Sequence, residues 1–204
     1  MDEKNLPQAM RPHGLMGRFF GLLMETVSGA NYRWVVAQLK PIKPKSVLEI
    51  GFGTGKLAEL LARKFKPAGY TGIDPAPLMV ATAQKKLRRF RHRVRATLSL
   101  GDDTLLATLD GPYDAIIAAH SFQFWSAPVT TLARIHALLS RQGRLVLVLR
   151  PHDGGRAPDW LPNPVSKSGD EIGGTRRMLH ELGFRVVTER KLRTGSFGIV
   201  AEKA

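Results

Sequence analysis

Apolar positions change their spacing several times along the chain. Leu15, Met16, Phe19, Phe20, Leu22, Leu23 and Val27 recur at helical spacing, with Arg18 and Glu25 between them. Tyr32–Leu39 is a second helical stretch, stopped ahead of Pro41. Short apolar runs then alternate with amphipathic ones. Strands are predicted over Ser46–Ile50, Gly69–Ile73, Ala96–Leu100, Tyr113–Ala119 and Arg144–Leu149. Helices are predicted over Lys56–Phe65, Pro77–Arg91 and Val129–Leu139, with at most a short helix over Asp102–Leu109. Strands alternating with helices predict an α/β fold whose parallel sheet is covered on both faces.

The two ends differ from this rhythm. Residues 1–13 are polar, contain two prolines and read as a flexible tail. Pro151, Pro158, Pro162 and Pro164, with Gly154 and Gly155, make 151–168 a long loop. Ser168 is placed to cap a helix, with Glu171 three residues on, running to Leu182 and stopped by Gly183. Phe184–Arg190 and Ser196–Glu202, joined near Thr194-Gly195, predict an antiparallel strand pair. The expected organisation is one domain over 14–204, with a helical cap at 14–40 and a lid loop at 151–168.

The composition narrows the chemistry. The 204 residues are 43% hydrophobic, which suits one domain with its own core. There is no cysteine, so disulfides, thiolate metal sites and cysteine nucleophiles are excluded. Lys and Arg number 31 against 17 acids, a net charge of +14. That balance favours anionic partners: a charged small molecule, RNA or an acidic membrane surface. No run reaches the ~18 apolar residues of a membrane span. No basic leader opens the chain, so a cytoplasmic location is expected.

"VLEIGFGTGKL", Val47–Leu57, carries the strongest local signal. A nucleotide P-loop would need Gly at position 50 and Ser or Thr at position 57; the chain has Ile50 and Leu57. A dinucleotide fingerprint would need Gly at position 56, where Lys56 stands. The pattern is Glu49-x-Gly51-x-Gly53-x-Gly55, an acid ahead of a glycine turn. A carboxylate there repels pyrophosphate and suits a ligand carrying positive charge. Asp74 ends the second strand, nineteen residues past Gly55, where a carboxylate can accept both hydroxyls of a ribose. Asp102 follows the third strand in "GDD". Three acids at neighbouring strand ends can hold a sulfonium, a ribose and an amino-purine edge.

On these residues the chain resembles the class I S-adenosylmethionine-dependent methyltransferases, in particular the small-molecule group that includes quinone-biosynthesis enzymes. "VLEIGFGTG", "GIDPAPLM", "LGDD", "YDAIIAAHSFQFW" and "LARIHALLSRQGRLVLV" follow the family's order over about residues 46–151. The resemblance implies a Rossmann-like, seven-stranded, mostly parallel sheet ending in the antiparallel pair, and S-adenosyl-L-methionine as cofactor. It implies that Glu49 faces the methionine amino group and that Gly51 and Gly53 let the backbone approach it. It also implies that Asp74 binds the ribose, that Pro75 and Met79 line the adenine, that Asp102 accepts from its amino group and that Asp103 adds a backbone donor. Two positions depart from the family pattern. Lys56 replaces a small residue, and Arg141-Gln142-Gly143 replaces a Pro-Gly-Gly turn.

If the acceptor is a hydroxyl or an ammonium, a base must remove a proton. His120, following "AIIAA" at the end of the fourth strand, is the first candidate, and a purely structural histidine is the alternative. His152 is second. No pair of histidines has convincing metal-ligand spacing, so no metal is expected. Phe122, Phe124, Trp125 and Trp160 are candidates for an acceptor pocket. The fourth strand lacks the Asn/Asp-Pro-Pro-aromatic motif common among amine methylation enzymes, which disfavours DNA bases. "KKLRRFRHRVR", Lys85–Arg95, holds seven Lys or Arg in eleven positions. It is expected to show a basic face of Lys85, Arg88, Arg89 and Arg93, with Leu87 and Phe90 turned inward. Methyl transfer to a small molecule or lipid is the leading expectation. An RNA-directed enzyme and an inactive cofactor-binding module are the alternatives.

Overall fold

The apolar runs assemble into one seven-stranded sheet in a computed structural model of the protein, which describes residues 29–150 and 169–204. The elements are α1 (29–39), β1 (Ser46–Ile50), α2 (Lys56–Lys64), β2 (Gly69–Asp74), α3 (Pro77–Leu87), β3 (Arg95–Leu100), β4 (Tyr113–Ala119), α4 (Pro128–Leu138), β5 (Leu139–Leu149), α5 (Gly169–Glu181), β6 (Phe184–Lys191) and β7 (Phe197–Lys203). Strand order is β3-β2-β1-β4-β5-β7-β6. Neighbours run parallel from β3 to β5, and β7 is antiparallel to both β5 and β6. The chain winds outward from β1 to β3, then returns to place β4 on the other side of β1. That reversal leaves a crevice at the carboxyl ends of β1 and β4.

Strand residues alternate between two buried faces, which is why the sequence shows near-continuous apolar runs there. Leu48, Ile50, Ile116, Ala118, Leu145 and Leu147 pack with Leu132 and Ile135 of α4 and with Ile172 and Leu179 of α5. Val47, Ala115, Ile117, Val146, Val148 and Val200 pack with Val35 and Leu39 of α1 and with Leu57 and Leu61 of α2. Each fully buried aliphatic side chain contributes about 1.5–3 kcal/mol of transfer free energy. Glu49 shares the second face with Val47, so the sheet delivers a carboxyl group into an apolar layer.

Three boundaries differ from the sequence reading by more than one residue. The described part of α1 begins at residue 29 rather than at Tyr32, because Asn31, a poor helix former, is held by tertiary hydrogen bonds. The run Pro77–Arg91 is a helix only to Leu87 and tightens to a 3-10 turn over Arg88–Phe90. β5 begins at Leu139, five residues before Arg144. Leu139 pairs with Tyr113 and Arg144 with Ala115, so the Arg141-Gln142-Gly143 turn bulges from the sheet rather than preceding it. Gly143 permits this: a Cβ there would lie 2.9 Å from the Tyr113 carbonyl oxygen. The short helix expected near Asp102 is a 3-10 turn over Asp103–Thr108. The tail at 1–13, the helix over Leu15–Val27, the loop at 151–168 with His152 and Trp160, and the Ser168 cap lie outside the described residues.

Besides the hydrogen bonds of Asn31, two contacts fix α1 on the sheet. The Arg144 guanidinium donates to the Gln38 carbonyl at 2.6 Å while pairing with Glu202 at 2.9 Å. Trp34 rests on β7 where Gly198 offers no side chain; a Cβ on Gly198 would overlap the indole ring. Gly198→Ala is therefore expected to destabilise the protein by about 1–3 kcal/mol, the usual cost of overpacking a rigid contact. Urea unfolding checks this, and an unchanged midpoint would remove the Trp34 contact as a constraint on α1.

Candidate active site at the ends of β1, β2 and β4

β1 runs into the glycine turn, and the turn is tied to β2. The Gly51 N–H donates to the Ile73 carbonyl at 2.7 Å, with Gly51 at φ 78°. A Cβ on Gly51 would sit 2.5 Å from the Ser121 Cβ. Ser121, just past β4, donates its hydroxyl to the Ile50 carbonyl at 2.5 Å. Gly51 thus lets the β4 loop close against β1. Gly53, at φ 54°, is different: a Cβ there would meet nothing within 4 Å. Its backbone borders open space, as a ligand-approach position requires.

Asp74 ends β2 and holds this turn from the other side. Its Oδ2 accepts from the Gly53 N–H at 2.7 Å and its Oδ1 from the Ala76 N–H at 2.9 Å. Burial pushes its pKa up, and the two backbone N–H groups oppose that rise. Each oxygen keeps a lone pair, so the carboxylate can still accept from two adjacent hydroxyls.

Glu49 is 2% exposed and accepts from the Tyr70 hydroxyl at 2.6 Å. No ion pair to it is found among the described residues. Burial drives its pKa up to about 8, with Asp74 adding to the rise and Tyr70 opposing it. A buried acid with one neutral partner is suited to receive an ammonium group. These features fit S-adenosylmethionine: an acid for the amino group, a carboxylate for a ribose, and space over Gly53. Tyr70 escaped the sequence reading. It lies two positions before Gly72, the residue paired with Glu49, and only the register brings the two side chains together.

At the outer end of the crevice, Asp102 is exposed and its Oδ1 accepts from the Thr104 N–H and hydroxyl at 3.0 and 2.5 Å. It therefore caps the 3-10 turn. Among the described residues its Oδ2 has no partner. The Asp103 carboxylate turns inward and accepts from Thr131 of α4 at 2.6 Å, so this side chain is spent on packing α4 against the turn. Pro75 is half-buried and Met79 is 5% exposed. Leu100, 55% exposed at the tip of β3, is an apolar surface beside them that strand periodicity did not single out.

His120 stands past β4 with φ 62°. Its N–H donates to the Val148 carbonyl at 2.8 Å, and its carbonyl accepts from the Gln123 amide at 2.8 Å. Nε2 of its ring lies 3.0 Å from the Asn31 amide nitrogen, while Nδ1 is buried with no hydrogen-bond partner among the described residues. Asn31 also contacts the Ser196 hydroxyl at 3.0 Å and accepts from the Thr194 hydroxyl at 2.5 Å. Burial, then the charge of Arg150, lowers the pKa of His120 to about 4. Asn31, Thr194 and Ser196 had no local signal, since three distant segments meet there. Phe122 and Trp125 are buried and tilted against each other at 4.8 Å, so both serve the core; Phe124 is half-buried.

The basic run has an internal use as well as an outer face. Leu87 and Phe90 are buried, as the pattern predicted. Arg89 pairs with the buried Glu59 at 2.6 Å, alongside Arg63 at 3.1 Å and Lys56 at 3.4 Å. Burial resists ionisation of Glu59, but these cations outweigh it and hold its pKa below the usual range. Arg89 and Arg63 also stand over the Phe90 ring. Lys56, unusual for the family, is thus part of the clamp between α2 and α3. No metal-ligand cluster is found among the described residues, and no described helix is long and apolar enough to cross a membrane.

Glu49 predicts a pH signature in the ligand-free protein. Its folded pKa, about 8, lies above the ordinary glutamate value of 4.5 expected when unfolded. Its stabilising contribution is therefore complete below about pH 4.5 and is lost as the pH rises through about 8. Glu49→Gln keeps a partner for Tyr70 and cannot ionise. The difference in melting temperature between wild type and variant is expected to shift against the wild type across that window. A difference that stays flat would show that Glu49 does not titrate there.

Residues 48–145 match a family described as a methyltransferase domain. A demethylmenaquinone methyltransferase of Thermotoga maritima is 32% identical over 152 residues, 72% of this chain and 64% of that protein. A malonyl-[acyl-carrier protein] O-methyltransferase of Priestia megaterium is 35% identical over 101 residues, 50% of this chain and 35% of that protein. The chain thus spans less than two thirds of the length of either relative. Among solved structures, magnesium protoporphyrin IX methyltransferase from Synechocystis PCC 6803 superposes with a TM-score of 0.62 at 24% identity, covering 88% of this chain and 79% of that one, a likeness of fold. With the strand order, the acid-and-glycine turn and the relatives in agreement, residues 48–145 are a methyltransferase domain, and the chain is similar to the class I S-adenosylmethionine-dependent methyltransferases.

Proposed function

We propose that the protein transfers a methyl group from S-adenosylmethionine to a small-molecule or lipid acceptor that carries negative charge. The observation that carries this reading is the pair of buried acids at adjacent strand ends, Glu49 and Asp74, on either side of the open backbone at Gly53. The similarity to a demethylmenaquinone methyltransferase and to a malonyl-[acyl-carrier protein] O-methyltransferase supports a non-nucleic-acid acceptor. The net charge of +14 and the position of Arg150 at the end of β5 support an anionic one.

In this reading each residue has a separable task. Glu49, with Tyr70, receives the amino group; Asp74 receives the ribose hydroxyls; Asp102 and the Asp103 backbone meet the adenine edge, with Pro75 and Met79 beside it. Gly51 and Gly53 keep the backbone close to the methionine end. The bound cofactor supplies a methyl group on a cationic sulfur. The protein aligns it with the acceptor and excludes water. His120 lies on the β4 side of the crevice, one strand beyond Glu49, where an acceptor would approach.

Asp74→Ala is expected to weaken S-adenosylmethionine binding by about tenfold or more, the cost of losing charge-assisted hydrogen bonds. Calorimetry with the full chain checks it, and unchanged affinity would remove the ribose assignment. Transfer of a radiolabelled methyl group into cell extract, sorted into small molecules, lipids, RNA and protein, tests the acceptor class. Label found only in RNA would replace this reading with an RNA-directed one.

A further inference from the structure

Asn31 decides what the His120 ring can do. The carboxamide contacts three groups at two lengths: the Thr194 hydroxyl at 2.5 Å, and the Ser196 hydroxyl and His120 Nε2 at 3.0 Å. A contact of 2.5 Å falls in the range of O–H···O bonds and below that of N–H···O bonds. The amide oxygen therefore faces Thr194 and the NH2 faces Ser196 and His120. The NH2 has two hydrogens and here meets two acceptors. His120 Nε2 is then an acceptor, and in a neutral ring the proton must reside on Nδ1.

This runs against a base at His120. The lone pair at Nε2 is occupied by Asn31, and Nδ1 already carries hydrogen. What remains is a buried N–H with no partner among the described residues. Such orphans are uncommon in folded proteins and call for an occupant. A ring held neutral by burial and by Arg150 is consistent with the same state. Arg150, near enough to act on the ring, adds a fixed positive charge at the end of the adjacent strand.

We propose that His120, oriented by Asn31, donates its Nδ1–H to an anionic oxygen of the methyl acceptor, a carboxylate or phenolate, and does not act as a base. This deepens the methyltransferase reading and rests on it. The bookkeeping closes without a proton acceptor. A lone pair of the acceptor oxygen forms the O–CH3 bond, the C–S bond breaks with its pair staying on sulfur, and a cation and an anion become two neutral groups. Asn31 is a positioning residue, and Thr194 and Ser196 hold its orientation.

The test is nitrogen NMR on the full chain labelled with 15N-histidine, with the His120 signals assigned by their loss in His120→Asn. The expected wild-type spectrum shows a protonated Nδ1 and a bare Nε2, unchanged from about pH 6 to 8. A protonated Nε2 with a bare Nδ1, or a ring that charges in that range, would overturn the proposal. Asn31→Asp offers Nε2 only acceptors, so it should move the proton to Nε2. An unmoved proton would overturn the role of Asn31, and the wild-type spectrum decides the tautomer even if that variant fails to fold. Adding malonyl-pantetheine or 4-nitrophenolate at about pH 8 to protein saturated with S-adenosylhomocysteine should shift Nδ1. A shift produced by S-adenosylhomocysteine alone would make the cofactor's own carboxylate the occupant and overturn the acceptor assignment. No shift with either acceptor probe would do the same. Calorimetric binding of S-adenosylhomocysteine is measured alongside: its loss would sink the methyltransferase reading, whereas its retention with the wrong tautomer sinks only the role of His120.

Discussion

One carboxylate joins the parts of the site. Asp74 accepts from the Gly53 N–H with one oxygen and from the Ala76 N–H with the other. These bonds fasten the glycine turn after β1 to the start of α3, and both loops take their path from that anchor. The arrangement also explains how a buried carboxylate is tolerated: two backbone N–H groups oppose the penalty of leaving water. The donors are backbone groups, so they are immobile, and the remaining lone pairs have fixed directions. A ligand with two adjacent hydroxyls meets a preorganised receptor.

Glu49 lies in the same layer but is handled in the opposite way. It has a single hydroxyl partner, Tyr70, and retains its proton until about pH 8. The two acids thus form a graded pair, one supported by two backbone N–H groups and the other by a single hydroxyl. A cation arriving at Glu49 would favour loss of that proton, so binding and ionisation are linked.

The β4 side of the crevice is built by long-range contacts instead. Ser121 closes the loop onto β1, and His120 is pinned by β5, by Gln123 and by Asn31. Asn31 comes from α1, and Thr194 and Ser196 from the segment between β6 and β7. The antiparallel pair at the end of the chain therefore does more than complete the sheet: it braces the residue on which the proposed acceptor contact depends. The proposed cofactor contacts gather on β1, β2 and β3, and the proposed acceptor contact on β4 and β5, so in this reading the two halves of the sheet divide the chemistry.

What the sequence determined by itself is local and periodic. Short apolar runs bounded by turn residues located all seven strands, and spacing placed Glu49, Gly51, Gly53, Asp74, Asp102 and Asp103 at or just past strand ends, because strand tips and tight turns have characteristic residue signatures. It could not show which way a side chain turns. Asp103 points into α4, Asp102 caps its own turn, and Gly143 lets a turn become a bulge in β5, since these outcomes depend on what packs opposite. The pairing of Tyr70 with Glu49 required strand register. The tautomer of His120 required three segments far apart in sequence to meet at one amide, and only tertiary structure decides such a meeting, because hydrogen-bond direction is set by the neighbours of a group and not by its own identity.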